Sequence, residues 1–235
     1  MTRTLIAGDL HGNWPALNRL ISKGNPDIVL QCGDFGWWPQ FEVNRPVLYG
    51  QQRAWKLKGV KPGNTKVYWC DGNHDNHHVL SPRIKPREPS ELYKNVFYCP
   101  RGSRLKLPDG RVVLFIGGAE SVDKDQRIYG HDWYPEEIIS QTDLDQCLKG
   151  PKADIVISHT APNLFLDQHD GIRQEKYNDP STKALDMVLE FHKPDLWYFG
   201  HFHKEIKGHY MDHTKYHGLD YPGHNAGGRW WKGLD

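Results

Sequence analysis

Short apolar runs recur along the chain, and each ends at a glycine or a polar residue. The runs TLIAG, DIVLQCG, KVYWCDG, VVLFIGG, DIVISH and LWYFGH occupy residues 4–8, 27–33, 66–72, 112–118, 154–159 and 196–201. Brief runs bounded by turn residues indicate buried strands. Their hydrophobicity is continuous rather than alternating, which predicts sheets that are covered on both faces.

Amphipathic stretches between these strands predict helices. Residues 14–23 place their apolar side chains on one face, and Asn13 and Pro15 suit the cap and the first turn. Further helices are predicted over residues 45–58, 135–149 and 180–192. Because strands and helices alternate, the fold class is predicted to be α/β.

Two segments depart from this alternation. Residues 80–104 are rich in proline, lysine and arginine, which predicts a long excursion over the surface. The tail from Gly208 onward is rich in histidine, glycine and tyrosine and has only weak strand character. A length of 235 residues fits one domain with an insertion, so residues 1–235 are interpreted as a single domain.

Composition narrows the class of protein. A hydrophobic content of 37% and a charged content of 25% are typical of a globular chain. The apolar runs are too short to span a bilayer, and the first residues do not resemble a signal peptide, so a cytoplasmic protein without membrane contact is expected. A net charge of +1 excludes a chain that is basic overall and binds nucleic acid through that charge, but it does not exclude a local basic patch. The four cysteines lie far apart and are expected to be buried thiols.

Polar side chains stand where five of the predicted strands end. These side chains are Asp9, His11, Asp34, Asn73, His159, His201 and His203. In α/β sheets, the carboxyl ends of the strands bring loops from distant parts of the chain to one edge, where ligands bind. Any one of these residues alone is more often a turn, capping or surface residue. Together they predict a common site.

The residue types indicate a metal centre. Imidazole, carboxylate and amide donors without thiolate suit divalent transition metals. We expect manganese first, with iron, nickel, zinc or cobalt as alternatives. Seven candidate ligands are too many for one ion with an open position, but they suit two ions that share a bridging carboxylate about 3.5–4 Å from each other.

The blocks GDLHG, GDFG, GNHD, SHTAP and GHFH occur in this order between residues 8 and 203. With them the chain resembles the calcineurin-like metallophosphoesterase superfamily over most of its length. The resemblance implies an α/β fold with four layers, an α/β/β/α sandwich in which helices flank two mixed sheets.

The resemblance also implies a role for each residue of the site. Asp9, His11 and His203 would hold the first ion, Asn73, His159 and His201 the second, and Asp34 would bridge the two. His74 would stand near the leaving group as the general acid, and Asp75 would fix its ring. A hydroxide bridging the ions would then attack a phosphate ester, and protonation of the leaving group is typically worth ~10²–10⁴ in rate.

Departures from the family pattern bear on the substrate. The protein-phosphatase branch carries arginines that clamp a phosphate monoester, but here the second block reads GDFGWWP and Asp71 precedes Gly72. The substrate is therefore expected to be a phosphodiester or a small phosphorylated molecule. Trp37 and Trp38 either form a rim that stacks the substrate or pack the loop. Arg127 either reaches the substrate phosphate or forms a surface salt bridge.

Three other functions stay open beside this one. A DNA or RNA nuclease would use the basic 83–106 stretch and the paired tryptophans, although such a stretch is more often a solvated face. A protein phosphatase is disfavoured by the missing arginines. A non-catalytic interaction module that binds metal on the same fold is disfavoured because every ligand position and His74 are present. The pattern makes no prediction of the oligomeric state or of a role for the histidine-rich tail.

Overall fold

The computed structural model describes residues 2–38, 45–46, 52–53, 59–80, 87–172, 179–224 and 227–235. Its strands in chain order are β1 (Thr4–Ala7), β2 (Ile28–Gln31), β3 (Arg45–Pro46), β4 (Gln52–Arg53), β5 (Lys66–Trp69), β6 (Ser90–Tyr93), β7 (Val96–Tyr98), β8 (Arg104–Lys106), β9 (Val112–Ile116), β10 (Ile155–Ser158), β11 (Leu196–Phe199), β12 (Ile206–Tyr210), β13 (Thr214–Gly218) and β14 (Trp231–Gly233). Its α-helices are α1 (Trp14–Gly24), α2 (His77–Leu80), α3 (Gln141–Cys147), α4 (Asn163–Leu166) and α5 (Pro180–His192). None of the helices in these ranges is both long and apolar enough to cross a membrane.

Twelve of these strands form two mixed sheets of six. The first has the order β14-β1-β2-β5-β7-β6 and the second the order β12-β13-β11-β10-β9-β8. In each sheet the four central strands are parallel and the two edge strands are antiparallel. Since parallel strands end at the same edge, the loops that follow β1, β2, β5, β10 and β11 emerge together.

Three apolar layers explain why the strand sequences are hydrophobic throughout. On β2, Val29 packs towards α1, whereas Ile28 and Leu30 face the second sheet. On β10, Val156 packs towards α5, whereas its neighbours face the first sheet. Successive side chains of a strand point to opposite faces, and here both faces are covered. The predicted α/β/β/α sandwich of two mixed sheets flanked by helices is confirmed.

The helix predictions are confirmed at both ends of the domain and fail between them. Helix α1 begins after Asn13, whose side chain accepts a hydrogen bond from the Ala16 amide, and α5 covers the predicted residues 180–192. The 135–149 helix is broken, because Ser140 forms a capping box with Asp143 and α3 starts only after it. A 3-10 helix occupies Pro135–Glu137.

The helix predicted over residues 45–58 is wrong at the positions that the structure describes. Strands β3 and β4 pair antiparallel there, with Pro46 opposite Gln52. The interior of the predicted helix contains Gly50, and a glycine there costs about 1 kcal/mol relative to alanine, which is consistent with this outcome. The remaining positions of that prediction lie outside the described residues.

Two groups of strands, one in the 80–104 stretch and one in the tail, were not predicted from the sequence. The 80–104 stretch is not only a surface excursion, because β6 and β7 extend the first sheet. The tail supplies β13 and β14, which pair with β11 and β1. These strands are three to five residues long, too short to show a clear period. The cysteines are free and buried, as predicted.

In the basic 83–106 stretch, Arg101 is buried and Arg87 and Arg104 are half-buried, and all three form internal hydrogen bonds. Arg101 donates to Asp71 at 2.8 Å, to Asp143 at 3.2 Å and to the Ile138 carbonyl at 2.7 Å. Arg87 donates to the other oxygen of Asp143 at 2.7 Å, and a carbonyl of α3 accepts from Arg104. Arg83 and Lys85 lie outside the described residues. The alternation of charges in sequence could not reveal these partners, which come from other elements.

Arg101 therefore links the first sheet to the helix layer of the second. Burial alone would raise the pKa of Asp71, but the charges of Arg101 and His77 lower it below its ordinary value. A carboxyl group whose pKa is lowered by folding stabilises the protein at neutral pH. That contribution is lost as the pH falls through the lowered pKa.

We expect Arg101→Met to lower the free energy of unfolding by about 3–5 kcal/mol, because the buried Asp71 carboxylate would lose its cation. Urea denaturation at neutral pH measures this loss. Lys106→Met removes an exposed cation from the same segment and should change stability by less than about 0.5 kcal/mol. Equal effects of the two substitutions would contradict a stabilising role for the buried pair.

Candidate active site

The ends of β1, β2 and β11 bring four candidate ligands together. The ligand atoms of Asp9, His11, Asp34 and His203 all lie within 4.8 Å of one another. Asp9 and His11 follow β1, Asp34 follows β2, and His203 follows β11. The predicted meeting of distant strand ends is therefore present in the tertiary structure.

The other three candidate ligands form a second group beside the first. Asn73 Oδ1 lies 2.9 Å from His159 Nε2 and 3.1 Å from His201 Nδ1. Asp34 lies between the groups, since its Oδ1 is 3.5 Å from His159 Nε2 and its Oδ2 is 3.7 Å from His11 Nδ1. This is the place that a bridging carboxylate would occupy.

Backbone contacts orient these side chains. The Nδ1 of His159 lies 2.9 Å from the Cys32 carbonyl, an acceptor that requires a proton on Nδ1. Nε2 faces the oxygens of Asn73 and Asp34, and in the neutral ring it is the nitrogen whose lone pair would be available to a metal ion. Such a second hydrogen bond commonly fixes the tautomer of a ligating histidine. Asp9 accepts from the His201 amide at 3.1 Å, and Asp34 accepts from the His74 amide at 2.7 Å.

The electrostatics of the cluster favour the metal-binding form at three of its ligands, Asp9, His11 and His201. At His159 and His203 the neighbouring carboxylates instead raise the pKa of the imidazole. Burial alone would raise the pKa of Asp9, but a hydrogen bond with His203 and the charges of the neighbouring imidazoles lower it to about 2. Burial lowers the pKa of His11 and of His201, so both rings are neutral near pH 7. An ionised carboxylate and neutral imidazoles are the forms that metal binding requires.

One buried atom also indicates a ligand. The Nδ1 of His11 is buried and has no hydrogen-bond partner among the described residues. Buried polar atoms normally have a partner, and one without a partner requires an explanation. The nitrogen, carboxylate and amide donors gathered here are those that divalent transition metals prefer. The residues present therefore fit such ions.

The backbone at the site is strained. Among the described residues, the non-glycine residues with positive φ are His11, Asn25, Asp34, Asn95, Lys193, His201, His203 and Met211. Asn25 and Lys193 cap helices, and Asn95 and Met211 turn between paired strands. The other four are candidate ligands. Such strain costs roughly 1–3 kcal/mol per residue and clusters at functional sites.

Glycines allow the strand ends to approach one another. A Cβ atom at Gly200 would overlap the Asp9 carboxylate, and one at Gly72 would overlap the Asp34 carboxylate. Because each contact joins a glycine after one strand to a ligand after another, any larger side chain would separate the two loops.

His74 lies beside the first group of ligands, with its ring centroid 5.1 Å from that of His11. The Asp75 carboxylate accepts from the amides of Phe35, Gly36, Trp37 and Gly72 at 2.7–3.1 Å. These bonds join the loop after β2 to the loop after β5. Burial and the charge of Asp34 raise the pKa of Asp75 to about 7. Asp75 thus acts on the backbone that carries His74.

The paired tryptophans are buried and do not form a substrate-stacking rim. Trp38 is fully buried, and its Nε1 donates to the His74 carbonyl. Trp37 is 8% exposed and belongs to the apolar cluster beneath α1. The burial of both rings favours loop packing, the alternative interpretation.

Arg127 reaches the site from the loop between β9 and α3, residues 117–137, which we call the β9–α3 loop. Its Nη2 lies 3.1 Å from His74 Nε2 and 2.6 Å from Asp123 Oδ1. The Arg127 side chain is only 4% exposed. The predicted salt bridge is present, but its Arg127 side chain is buried beside His74 and only Asp123 is partly exposed.

Three further residues were missed. Ser121 and Glu137, both buried in the β9–α3 loop, connect to Asn73. Ser121 follows β9, and a polar residue after another parallel strand is a signal that pointed to this edge. Tyr221 comes from the tail, with its ring centroid 4.5 Å from that of His203, and stacks on His224. Nothing in the tail sequence indicated this approach.

The family follows from a comparison with known families. The calcineurin-like phosphoesterase model matches residues 2–205, and the chain belongs to that family. The resemblance carried by the five blocks is confirmed. A search of curated proteins returned no significant match.

One solved structure supports the fold, and a second is less similar. Phosphopantetheinyl hydrolase from Mycobacterium tuberculosis is similar with a TM-score of 0.52 and 12% identity, over 99% of this chain and 95% of that one. A 5'-nucleotidase from Candida albicans gives 0.48 and 15%, over 98% of this chain and 47% of that one. This chain thus spans about half the length of the nucleotidase. At 12% identity the likeness to the hydrolase shows the fold alone.

We expect Gly200→Ala to abolish phosphoesterase activity, because the added methyl group would displace the Asp9 carboxylate. Gly233→Ala is the matched control, since a Cβ there meets nothing within 4 Å. Hydrolysis rates and thermal unfolding of both variants check this expectation. Wild-type activity in Gly200→Ala would show that Asp9 is not needed at its observed position.

Proposed function

We propose that this chain hydrolyses phosphate esters with two divalent metal ions, and that its substrates are phosphodiesters or small phosphorylated molecules. The observation that carries the proposal is the strained cluster of seven side chains at the joined strand ends. Four of the seven residues have a positive φ that neither a helix cap nor a hairpin turn explains. Family membership supplies the reaction class.

The two groups of side chains suggest how the ions are held. Asp9, His11 and His203 would hold one ion, Asn73, His159 and His201 the other, and Asp34 would bridge them. Manganese is favoured, and iron, nickel, zinc or cobalt suit the same donors. When bound, two such ions supply positive charge that offsets the phosphate and lowers the pKa of water.

The chain's own residues complete the chemistry. His74 stands beside the first group of ligands, where it can donate a proton to the leaving oxygen. Its amide is held by Asp34, and its carbonyl accepts from Trp38, so its backbone is fixed on both sides. Arg127 places a guanidinium next to the same ring. That cation is positioned to contact a phosphate oxygen as the substrate binds.

The alternatives are weaker. Asp71, which replaces an arginine of the protein-phosphatase pattern, is bound to Arg101 and cannot clamp a phosphate. Arg87, Arg101 and Arg104 make internal bonds, which removes much of the basic stretch that a nuclease would use. A non-catalytic module would not need His74 and Arg127 beside the cluster.

Hydrolysis of bis-p-nitrophenyl phosphate and p-nitrophenyl phosphate by metal-stripped protein tests the reaction. We expect activity only after addition of Mn²⁺ or another of the named ions, with the diester preferred. A preference for the monoester would move the substrate to phosphomonoesters. No turnover with any ion, by protein that binds two ions, would contradict the proposal.

His74→Ala tests the general acid separately. We expect a loss of ~10²–10⁴ for phenyl esters and a smaller loss for p-nitrophenyl esters, because a more acidic leaving group needs less protonation. His78→Ala, an exposed histidine four residues away, is the control. A loss of the same size for both leaving groups would rule out His74 as the proton donor.

Arg127→Ala should lower kcat/KM by at least about tenfold, since it removes a buried charge-assisted hydrogen-bond donor beside the reacting group. Arg111→Ala provides the control, because Arg111 also pairs with a carboxylate, Asp109, but on the exposed surface. Steady-state kinetics with the diester compare the two. Indistinguishable kinetics would exclude Arg127 from substrate binding.

A further inference from the structure

A buried chain of hydrogen bonds runs from Asn73 into the β9–α3 loop. Asn73 Nδ2 donates to Ser121 Oγ at 3.2 Å, and Ser121 Oγ donates to Glu137 Oε2 at 2.6 Å. Ser121 and Glu137 are each 1% exposed. Water therefore does not compete for these bonds, and each polar atom depends on its protein partner.

Glu137 itself is held firmly. Its Oε1 accepts from the Ser121 amide at 2.7 Å and from Trp133 Nε1 at 3.0 Å. With Ser121 Oγ, three donors converge on one carboxylate. An ionised carboxylate only accepts hydrogen bonds. The Ser121 hydroxyl must therefore point its proton at Glu137 and can offer only a lone pair to Asn73.

This polarity determines which end of the Asn73 amide faces the site. A lone pair on Ser121 attracts the amide nitrogen, which leaves Oδ1 directed at His159 and His201. The opposite orientation would bring the NH₂ group, a donor with no lone pair, to the place where a cation would bind. A metal ion requires the oxygen.

We infer that Ser121 and Glu137 are positioning residues that hold Asn73 with its oxygen towards the second metal ion. The inference rests on the proposed function, because it takes Asn73 as a ligand. It adds two residues from the second sheet's loop to a ligand that follows a strand of the first sheet. Partners of metal ligands of this kind typically contribute 10–100-fold to metal affinity.

Binding of Mn²⁺ to the metal-stripped full chain tests the inference. Calorimetry gives the affinity of each ion, and electron paramagnetic resonance distinguishes a spin-coupled pair from isolated ions. The measurement is made at about pH 8, because burial raises the pKa of Glu137 to about 7 and the carboxylate must be ionised.

Ser121→Ala is expected to weaken the binding of one of the two Mn²⁺ ions about 10–100-fold and to leave the affinity for the other unchanged. The resonance signal of the spin-coupled pair should then be lost at two equivalents of Mn²⁺. Glu137→Gln should do the same without removing the hydroxyl. The Ser121 amide and Trp133 Nε1 both donate to Oε1 and would keep the single amide oxygen there, so the amide nitrogen, which cannot accept a proton, would face Ser121 Oγ. Ser121→Thr retains the hydroxyl and should restore the affinity. Ser103→Ala removes a buried hydroxyl that has no hydrogen-bond partner among the described residues and should bind like the wild type.

Two results would overturn the inference. Affinities within about twofold of wild type in both Ser121→Ala and Glu137→Gln would show that Asn73 needs no such support. Equal losses in Ser121→Ala and Ser121→Thr would show a packing role instead. A wild-type chain that binds fewer than two ions would contradict the proposed function itself, and this outcome is seen before any variant is compared.

Discussion

The burial of two carboxylates next to each other is the constraint on which the rest of this structure depends. Asp9 and Asp34 are almost completely shielded from water, and a charge in such a place is unfavourable unless other groups compensate it. Imidazoles and backbone amides do so here, and they come from strand ends other than the one that carries the carboxylate they compensate. That convergence requires residues with positive φ at the site, and it requires glycines where a Cβ atom would overlap a carboxylate.

The meeting of strand ends at the site also joins the loops of the two sheets to each other. The segment that carries Asn73 and His74 belongs to the first sheet, yet several of its contacts come from the second. Ser121 and Arg127 reach it from the β9–α3 loop, and Arg101 binds Asp71 just before it. A site on a sheet edge is only as rigid as the loops that form it, and these contacts supply the rigidity.

Prediction from sequence succeeded where short-range signals carried the information. The buried strands, helix α1 with its Asn13 cap, and the five motif blocks are all local patterns. Prediction failed where a partner distant in sequence decided the outcome. Arg101 appeared to be part of a solvated basic stretch until Asp71 and Asp143 were found around it. For Trp38 the sequence could not choose between a substrate-stacking rim and loop packing, and the choice depended on its hydrogen bond to the His74 carbonyl.

The sequence alone determined the α/β class, the position of each candidate ligand at a strand end, and the family, because glycine, carboxylate and imidazole at fixed local spacing carry that information. Tertiary structure alone decided that Asp34 lies between the two ligand groups, that Arg127 contacts His74, and that Ser121 and Glu137 support Asn73. The reason is physical. A strand period specifies which way one side chain points, but the distance between side chains on different strands depends on how both sheets pack.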